Sequence, residues 1–444
     1  MRETGCSVSV VEGGLRTESL PFSSVPGQSK LFIEYQQNPD SLIKYYPSII
    51  SSHTEAAARI PEVLAGYKTD RSQLCDALAR INAQFGGSEK TDENIALLRE
   101  PETVAVLTGQ QTGLFTGPLY SIYKALSAIK MSECLRGRGV KAVPVFWMAT
   151  EDHDFEEVSN AFVIDGGSKL AEMSIAADKS EHGKSVGSIR LDGSISSAVG
   201  ELFDSLPQTE FTGELRQHLE RTWMKENNFG QAFGTFLTSL LGNYGLIVVD
   251  PLDETLKKLS APIYHEAINC TSEIVAALTA RSAELVRDGY HAQVLVEDDY
   301  FPLFWHTDDG RRVSLRRSSD GRLHAKGEKI SFTESELSER SLIEPQKFSP
   351  GVMLRPVVQD YLFPTMCYFG GGAEIAYFAQ NSEVYRLLDR PVTAILHRQS
   401  FTIVEAKHAR TLERYELDFA DLFAAEAEVL PQIVDKFIDP NTAK

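Results

Sequence analysis

Short continuous runs of apolar residues alternate with helical patterns along the chain. The clearest runs are TVAVL at 103–107 and KAVPVFWMA at 141–149, and a helical pattern over 119–136 lies between them. Apolar runs of this length without polar alternation are typical of strands buried on both faces of a parallel sheet. The order strand, loop, helix, strand therefore predicts the start of a doubly wound α/β domain.

The α/β pattern is interrupted twice. Residues 166–230 are rich in Ser and Gly with two helices predicted at their end, whereas 290–335 show short alternating runs and turns at 308–310 and 319–321, typical of a small antiparallel sheet. Before the first strand, 52–99 has a helical pattern, with a helix start expected at Thr91 because acidic residues follow it.

These patterns predict an α/β core with two insertions and helical ends. The expected segments are an N-terminal wrap and helices at 1–100, core parts at 101–165, 231–285 and 346–399, insertions at 166–230 and 286–345, and a C-terminal helical segment at 400–444.

Composition sets aside several classes of protein. The chain has 444 residues, 42% hydrophobic and 24% charged, which excludes wholesale disorder and predicts two to four structural units. Its net charge of −18 comes without a basic stripe, which argues against nucleic acid and membrane surfaces as partners. No apolar run reaches the roughly 18 residues of a membrane span. The N-terminus has Glu3 and Glu12 but no apolar signal region, so a cytoplasmic protein is expected.

Cysteine usage fits a reducing compartment. The five cysteines are odd in number, scattered, and form no C-x-x-C pair, which disfavours a disulfide framework or a zinc site. They are Cys6, Cys75, Cys134, Cys270 and Cys367. Cys367 lies in an apolar run without a neighbouring His, as expected of a core residue rather than a nucleophile.

The first candidate ligand site is the polar loop after the first buried strand. Its glycines recur every fourth residue, and Pro118 is expected as the first helical residue. Exposed N–H groups at such a helix start attract phosphate or carboxylate. The spacing matches neither the dinucleotide fingerprint nor the P-loop, and a tight turn without a ligand is the alternative. The candidate binding residues are Gly109, Gln110, Gln111, Thr112, Gly113, Thr116, Gly117, Tyr120 and Lys124.

The second candidate site follows the second buried strand. Glu151, Asp152, His153 and Asp154 lie where ligands bind in open α/β sheets, beyond the carboxyl ends of the strands. Carboxylates around a histidine are suited to orienting a general base, binding an ammonium group or holding Mg²⁺. No further His or Cys has ligand spacing nearby, which disfavours a metal. The alternative is a solvated acidic loop that caps the next helix.

The third candidate site comes late in the chain. The segment from Arg355 to Asp360, followed by a glycine triplet at 370–372, is interpreted as a short apolar strand, a glycine loop and a helix start that repeat the first site. Arginine binds carboxylate or phosphate bidentately, although a structural salt bridge is the alternative. The candidate binding residues are Arg355, Gln359, Gly371, Gly372, Glu374 and Tyr377, with His397 and Arg398 after a further strand at 392–396.

Three segments together carry a resemblance to a known family. GQQTGLFTGPLYSIYKA, VFWMATEDHDFEEV and LRPVVQDYLFPTMCYFGGGAEIAYF, in this order, resemble the cysteine ligase family of bacillithiol biosynthesis, and LPFSSVPGQSKLFIEYQQ near the start is also similar. The resemblance covers nearly the whole chain. It implies addition of L-cysteine to glucosaminyl-malate through an amide bond. It also implies a Rossmann-like core with two connecting-peptide insertions and a C-terminal α-helical coiled coil that forms a homodimer.

The chain ends at Lys444, where that helical segment should be under way, so we expect a shortened arm and dimerisation only with the full segment. Amide formation from a carboxylate needs an activated acyl group, which makes ATP or ADP a candidate ligand, although no recognised ATP motif is present. On this interpretation the acidic residues hold an amine, His153 removes its proton and Arg355 binds the malate carboxylates.

Two other functions are compatible with the motifs. One is a Rossmann-type nucleotidyltransferase, although such enzymes place a histidine motif in the loop where this chain has Tyr120 and Tyr123 at the helix start. The other is a non-catalytic α/β scaffold with a helical interaction arm, which predicts no binding of small molecules.

Overall fold

A computed structural model describes residues 8–11, 15–50, 53–424 and 426–437 of the chain. Glu3, Cys6 and Glu12, which entered the predictions above, lie outside the described residues. The chain separates into two compact units, one formed by 1–42 with 400–444 and the other by 43–399.

The strands within the described residues are β1 (Val8–Val11), β2 (Leu15–Glu18), β3 (Val104–Gln110), β4 (Ala142–Met148), β5 (Asn160–Ile164), β6 (Leu170–Ser174), β7 (Ile247–Val249), β8 (Leu303–His306), β9 (Arg312–Arg317), β10 (Leu323–Ala325), β11 (Ser331–Phe332), β12 (Phe348–Pro350), β13 (Thr365–Gly370) and β14 (Ala394–His397).

The α-helices are α1 (Lys30–Gln37), α2 (His53–Ala58), α3 (Ile60–Gly66), α4 (Arg71–Gln84), α5 (Glu89–Arg99), α6 (Tyr120–Arg136), α7 (Phe155–Val158), α8 (Ser194–Ser205), α9 (Thr212–Thr222), α10 (Phe229–Leu241), α11 (Glu254–Asn269), α12 (Thr271–Arg287), α13 (Glu334–Ile343), α14 (Arg355–Leu362), α15 (Gly372–Leu387), α16 (Ala406–Tyr415) and α17 (Glu426–Phe437).

The smaller unit is built from short elements. β1 and β2 pair as an antiparallel hairpin, and Ser29 caps α1, since its hydroxyl accepts the Phe32 N–H at 3.2 Å. The predicted helical character of 400–444 is present in α16 and α17, where the rings of Tyr415 and Phe437 meet edge to face at 5.8 Å.

A five-stranded parallel sheet forms the centre of the larger unit. Its order is β14-β13-β3-β4-β7, so β3, its first strand along the chain, lies in the middle. Read from β7, the order is 3-2-1-4-5, which is the Rossmann arrangement. After β3, strands β4 and β7 are added on one side of it, and β13 and β14 are then added on its other side. The pair of β3 and β13 therefore marks the topological switch point.

Both faces of this sheet are buried, as the continuous apolar runs predict. Val104 and Val106 of β3 belong to a core with Ala128 of α6, and helices α2 and α3 add to the same core. The alternate residues Ala105 and Leu107 point to the other face and are equally buried.

A side chain closes the open edge of the sheet at β7. The Asn82 amide of α4 donates to the Val248 carbonyl at 2.9 Å, and its oxygen accepts the Val248 N–H at 2.9 Å. The backbone N–H and carbonyl of Val248, which β7 would otherwise leave unpaired at the sheet edge, are thereby hydrogen-bonded.

The predicted antiparallel sheet lies mainly in the second interruption of the α/β pattern, at 290–335. Its order is β11-β10-β9-β8-β12, and the turn at 308–310 joins β8 to β9 as expected. A second hydrophobic core joins this sheet to α11–α15, with Trp305 of β8, Tyr264 of α11 and Val357 of α14 among its residues. The sheet is therefore fixed against the helices that flank the central core.

Two predictions of local structure were wrong. The helix expected to start at Thr91 starts at Glu89, because the Ser88 hydroxyl caps it by accepting the Thr91 N–H at 3.2 Å. The segment from Arg355 is helix α14 rather than a strand: Pro356 is compatible with a first helical turn, and the helix buries Val357 and Val358. The strand before the glycine triplet is β13 instead.

The described cysteines agree with the sequence analysis. Cys75, Cys134, Cys270 and Cys367 are free, and burial raises the pKa of Cys367 to about 12, so this thiol is a core group. None of the helices in the described part of the chain is long and apolar enough to span a membrane.

Candidate functional site

The three polar segments singled out in the sequence converge at one edge of the parallel sheet. They follow β3, β4 and β13, and the carboxyl ends of parallel strands share an edge. Because β3 is adjacent to both other strands, the segments meet around the switch point. This edge is the candidate functional site.

A buried ion pair lies at the centre of the switch point. Lys124 Nζ of α6 lies 2.5 Å from Glu374 Oε2 of α15 and 3.0 Å from Gln110 Oε1. The same carboxylate accepts the Tyr368 hydroxyl at 2.7 Å and the Gly371 N–H at 2.8 Å. The pair thus joins the loops after β3 and β13.

Burial acts against both charges of this pair. Burial lowers the pKa of Lys124 despite the attraction of Glu374. Burial alone would raise the pKa of Glu374, but the Lys124 ammonium and the Gly371 N–H outweigh it, and the pKa lies below its ordinary value. The Lys124 side chain is only 1% exposed, whereas Glu374 is 18% exposed, so Glu374 is the member that a ligand can reach.

Arg355 of α14 lies near this pair and interacts electrostatically with Glu374. One guanidinium N–H donates to the Tyr377 hydroxyl at 2.7 Å, while its buried Nε has no hydrogen-bond partner among the described residues. One turn further along α14, Gln359 is 1% exposed and its Nε2 is also without a partner there. Burial would lower the pKa of Arg355, but Tyr377, Tyr368 and Glu374 together raise it, so the guanidinium stays charged. These unused donors suit an anionic group.

Glu151 of the acidic segment is committed to a second buried ion pair. Its carboxylate contacts the Lys257 ammonium of α11, and both side chains are buried. The same ammonium donates to the Phe348 carbonyl at 2.5 Å, and burial lowers the pKa of Lys257. The pair fixes the end of β4 against the helix that carries the antiparallel sheet.

Asp152 and His153 meet an arginine from the antiparallel sheet. Arg312 Nη1 of β9 lies 3.4 Å from Asp152 Oδ1 and 3.1 Å from His153 Nδ1. Asp152 also accepts the Gln111 side-chain N–H at 3.2 Å and the His153 backbone N–H at 2.8 Å. Burial would raise the pKa of Asp152, but the neighbouring His153 and the charge of Arg312 hold it well below its usual range.

The remaining predicted residues lie around this centre. Asp154 caps α7 by accepting the Glu157 N–H at 3.3 Å, which is the capping alternative considered for the acidic segment. The Arg398 guanidinium lies 5.0 Å from the ring centre of Tyr120. His397 ends β14, and burial followed by the charge of Arg398 lowers its pKa to about 4. Gly372 begins α15.

The loop after β3 differs from its prediction in three details. Gly109 and Gln110 belong to β3, where a Cβ on Gly109 would lie 2.7 Å from the Trp147 carbonyl oxygen, so this glycine serves strand packing. Pro118 precedes the helix, which begins at Tyr120. The Ser121 N–H already donates to the Pro118 carbonyl at 2.9 Å, so the first turn offers a ligand fewer free donors than expected.

The backbone of the loop is strained between its other two glycines. Phe115, Thr116 and Gly117 have φ of 55°, 81° and 66°, and the ring of Phe115 packs edge to face on Trp223 at 5.5 Å. A Cβ on Gly113 would lie 2.6 Å from the Gly117 Cα. Strain of this kind persists only where surrounding structure enforces it. Thr112 is fully buried, and its hydroxyl has no partner among the described residues.

Several residues at this site could not be found from sequence motifs. Lys257, Arg312 and His306 belong to no motif, and Lys257 and Arg312 reach the acidic segment from 106 and 160 positions away. Burial, then the charge of Lys257, lowers the pKa of His306 to about 2, so this imidazole is neutral. The part of the chain that the structure describes contains no group of three or more His, Cys, Asp or Glu placed to hold a metal ion.

Comparison with known proteins identifies the family. The family model for bacillithiol biosynthesis BshC, N-terminal Rossmann-like domain, matches residues 15–399. The chain belongs to this family.

Curated relatives agree over most of the chain. The protein named "Putative cysteine ligase BshC" from Koribacter versatilis is 34% identical over 424 residues, covering 96% of this chain and 77% of its own length. Proteins of the same name from Solibacter usitatus and Salinibacter ruber are 34% and 35% identical, covering 94% and 88% of this chain and 76% and 71% of their own lengths. The matched residues include the parallel sheet with the helices around it and also the antiparallel sheet.

Proposed function

We propose that the chain joins the carboxyl group of L-cysteine to the amine of glucosaminyl-malate, as the last step of bacillithiol biosynthesis. Membership of the family carries this proposal, because the family description names the pathway and the relatives are named as cysteine ligases. The polar centre at the switch point supports it, since Rossmann-type sheets bind their ligands there.

The charges of the site suit the proposed substrates. Malate carries two carboxylates, and Arg355 offers them a charged, half-buried guanidinium with an unused N–H. Cysteine and the sugar each bring an amine. Asp152 is the partly exposed carboxylate of the acidic segment that is suited to hold an ammonium group, since Glu151 is buried against Lys257.

Amide formation also requires activation of the cysteine carboxyl group. We propose ATP as the activating substrate. The cysteine carboxylate takes a phosphoryl group with release of ADP, or an adenylyl group with release of pyrophosphate. The sugar amine then attacks the acyl carbon, the amide forms as phosphate or AMP leaves, and the amine loses one proton to solvent. Arg355 and Arg398 are the partly exposed cations near the loop after β3. Lys124 is too deeply buried to contact ATP directly in this conformation, so its positive charge acts on the nucleotide only through the electrostatic field.

The proposed organisation follows the family. Residues 166–230 and 286–345 are proposed as the two connecting-peptide insertions of the core, and 400–444 as part of a coiled-coil segment that forms a homodimer. The cytoplasm is the proposed location, since both substrates are small intracellular metabolites in this scheme.

Thiol profiling by mass spectrometry in a strain lacking this gene tests the proposed reaction. The expected result is loss of bacillithiol together with accumulation of glucosaminyl-malate, both reversed by the wild-type gene. Loss of the thiol without accumulation of the precursor would place the protein at an earlier step and contradict the proposal.

The role of ATP has a separate test with purified protein. Cysteine labelled with ¹⁸O in its carboxylate should transfer one label to phosphate or AMP in step with amide formation. Full turnover without any nucleoside triphosphate would refute ATP as the activating substrate and would leave the amide-forming reaction standing.

A further inference from the structure

We infer that Arg312 fixes the tautomer of His153, so that Nε2 carries the ring proton and His153 serves the reaction as a hydrogen-bond donor. This inference deepens the proposed function and rests on it for the identity of the acceptor. The tautomer itself depends only on the geometry of the protein.

Arg312 is held in one orientation by contacts on every side. It is 7% exposed, its Nε donates to the Ser349 hydroxyl at 2.9 Å, and its Nη2 donates to the Pro350 carbonyl at 3.0 Å. The guanidinium carbon lies 3.6 Å from the ring centre of Phe304. The remaining nitrogen, Nη1, is thereby directed at the acidic segment, where it meets His153 Nδ1 at 3.1 Å.

The chemistry of the two groups decides which nitrogen of His153 carries the proton. A guanidinium has five N–H donors and no acceptor, so His153 Nδ1 must be the acceptor in this contact. A neutral imidazole has one ring proton, which then resides on Nε2. Asp152 Oδ1 also lies 3.5 Å from Nδ1, but a proton on Nδ1 would set two N–H groups against each other across the shorter distance to Arg312.

His153 is accessible enough to use that donor. Its side chain is 40% exposed, and Nε2 has no hydrogen-bond partner among the described residues. The ring is steadied by Phe304, whose centre lies 5.7 Å away. An N–H donor beside the reacting carbonyl stabilises the negative charge that develops on its oxygen as the amine attacks. His153 would then polarise the acyl group of cysteine, in contrast to the general-base role predicted from the sequence.

The tautomer is directly measurable without substrate. Two-bond ¹H–¹⁵N spectra of protein labelled at histidine, recorded where the imidazole is neutral, distinguish the two ring nitrogens, and His153→Gln identifies the signal. We expect the proton on Nε2 in the wild type and in Arg312→Lys, which keeps a donor, and a shift of the proton towards Nδ1 in Arg312→Met. A wild-type proton on Nδ1 would overturn the inference, and so would a folded Arg312→Met with an unchanged tautomer. If Arg312→Met does not fold, the wild-type spectrum decides alone.

Kinetics test the role that follows from the tautomer. Glutamine can place an amide N–H near the position of Nε2, whereas asparagine and alanine cannot. If His153 is a donor, His153→Gln should retain at least 10-fold more kcat than His153→Asn or His153→Ala, with similar KM values. Equal losses in all three variants would contradict the donor role. If no variant and no wild-type sample turns over the proposed substrates, the proposed function fails while the spectra still decide the tautomer.

Discussion

The ion pair between Lys124 and Glu374 gives the sharpest test of how the switch point is held together. We expect Glu374→Gln to destabilise the protein more than Lys124→Met. The first change leaves an ammonium group, 1% exposed, with the Gln110 oxygen, the Tyr368 ring and a neutral amide beside it. The second leaves a carboxylate that is 18% exposed and keeps its bonds to Tyr368 and Gly371.

The expected loss of stability in each variant follows from the partners that the remaining charged group keeps. Removing one member of a buried ion pair costs about 3–5 kcal/mol in free energy of unfolding. On that scale, Lys124→Met should cost about 3 kcal/mol and Glu374→Gln about 5 kcal/mol. Because the groups are in direct contact, the double variant should lose about 2 kcal/mol less than the sum of the single losses.

Urea unfolding followed by tryptophan fluorescence measures these values, because all three tryptophans lie in the larger unit. A second series of urea unfolding experiments at pH 9 tests whether stability changes with pH in the expected direction. Burial lowers the pKa of Lys124 in the folded state, so at high pH the unfolded state binds more protons and stability rises. Glu374→Gln should therefore recover part of its loss at pH 9. Single variants within about 0.5 kcal/mol of the wild type, or strictly additive losses, would refute this account of the pair.

Three further predictions concern other parts of the larger unit. Burial raises the pKa of Asp360 from 3.8 to about 6, so stability falls as pH rises through this window. Asp360→Asn should remove about 2 kcal/mol of that fall between pH 4 and 7, and parallel stability curves would contradict this. Gly117→Ala should cost about 1–3 kcal/mol in free energy of unfolding and lower activity, since a Cβ there would meet the loop backbone at 3.2 Å. The control Gly139→Ala, which also has a positive φ but open space around it, should cost less and keep activity. Trp223→Leu, which removes the ring packed on the loop after β3, should lower kcat/KM, whereas Trp305→Leu should lower only stability; equal activities would show that the loop does not need this support.

The core strands were predictable because their signal is local. A strand buried on both faces needs apolar residues at every position, and 104–107 and 142–149 meet this condition. The ends of the elements were less predictable. Gly109 and Gln110 looked like loop residues, yet the ladder with β4 continues through both. The apolar residues after Arg355 suit a strand or a buried helix equally, and packing in the second core decided for a helix.

The candidate site was predictable only where it follows the strands. Segments after β3, β4 and β13 had to meet, because parallel strands share a carboxyl edge. The partners of the acidic residues could not be found in this way. Lys257 lies in an amphipathic helix, and Arg312 follows an ordinary hairpin turn, so no local pattern marks them. Their role arises from the packing of the antiparallel sheet against the core.

The most direct test of the central claim is product formation by the purified protein. Wild-type protein given L-cysteine, glucosaminyl-malate and ATP with Mg²⁺ should form the cysteinyl amide, detected by mass spectrometry, and a folded Arg355→Met variant should form it much more slowly with a raised KM for glucosaminyl-malate. Absence of the amide from folded wild-type protein, with nucleotide and without it, would contradict the claim that this site joins the two substrates.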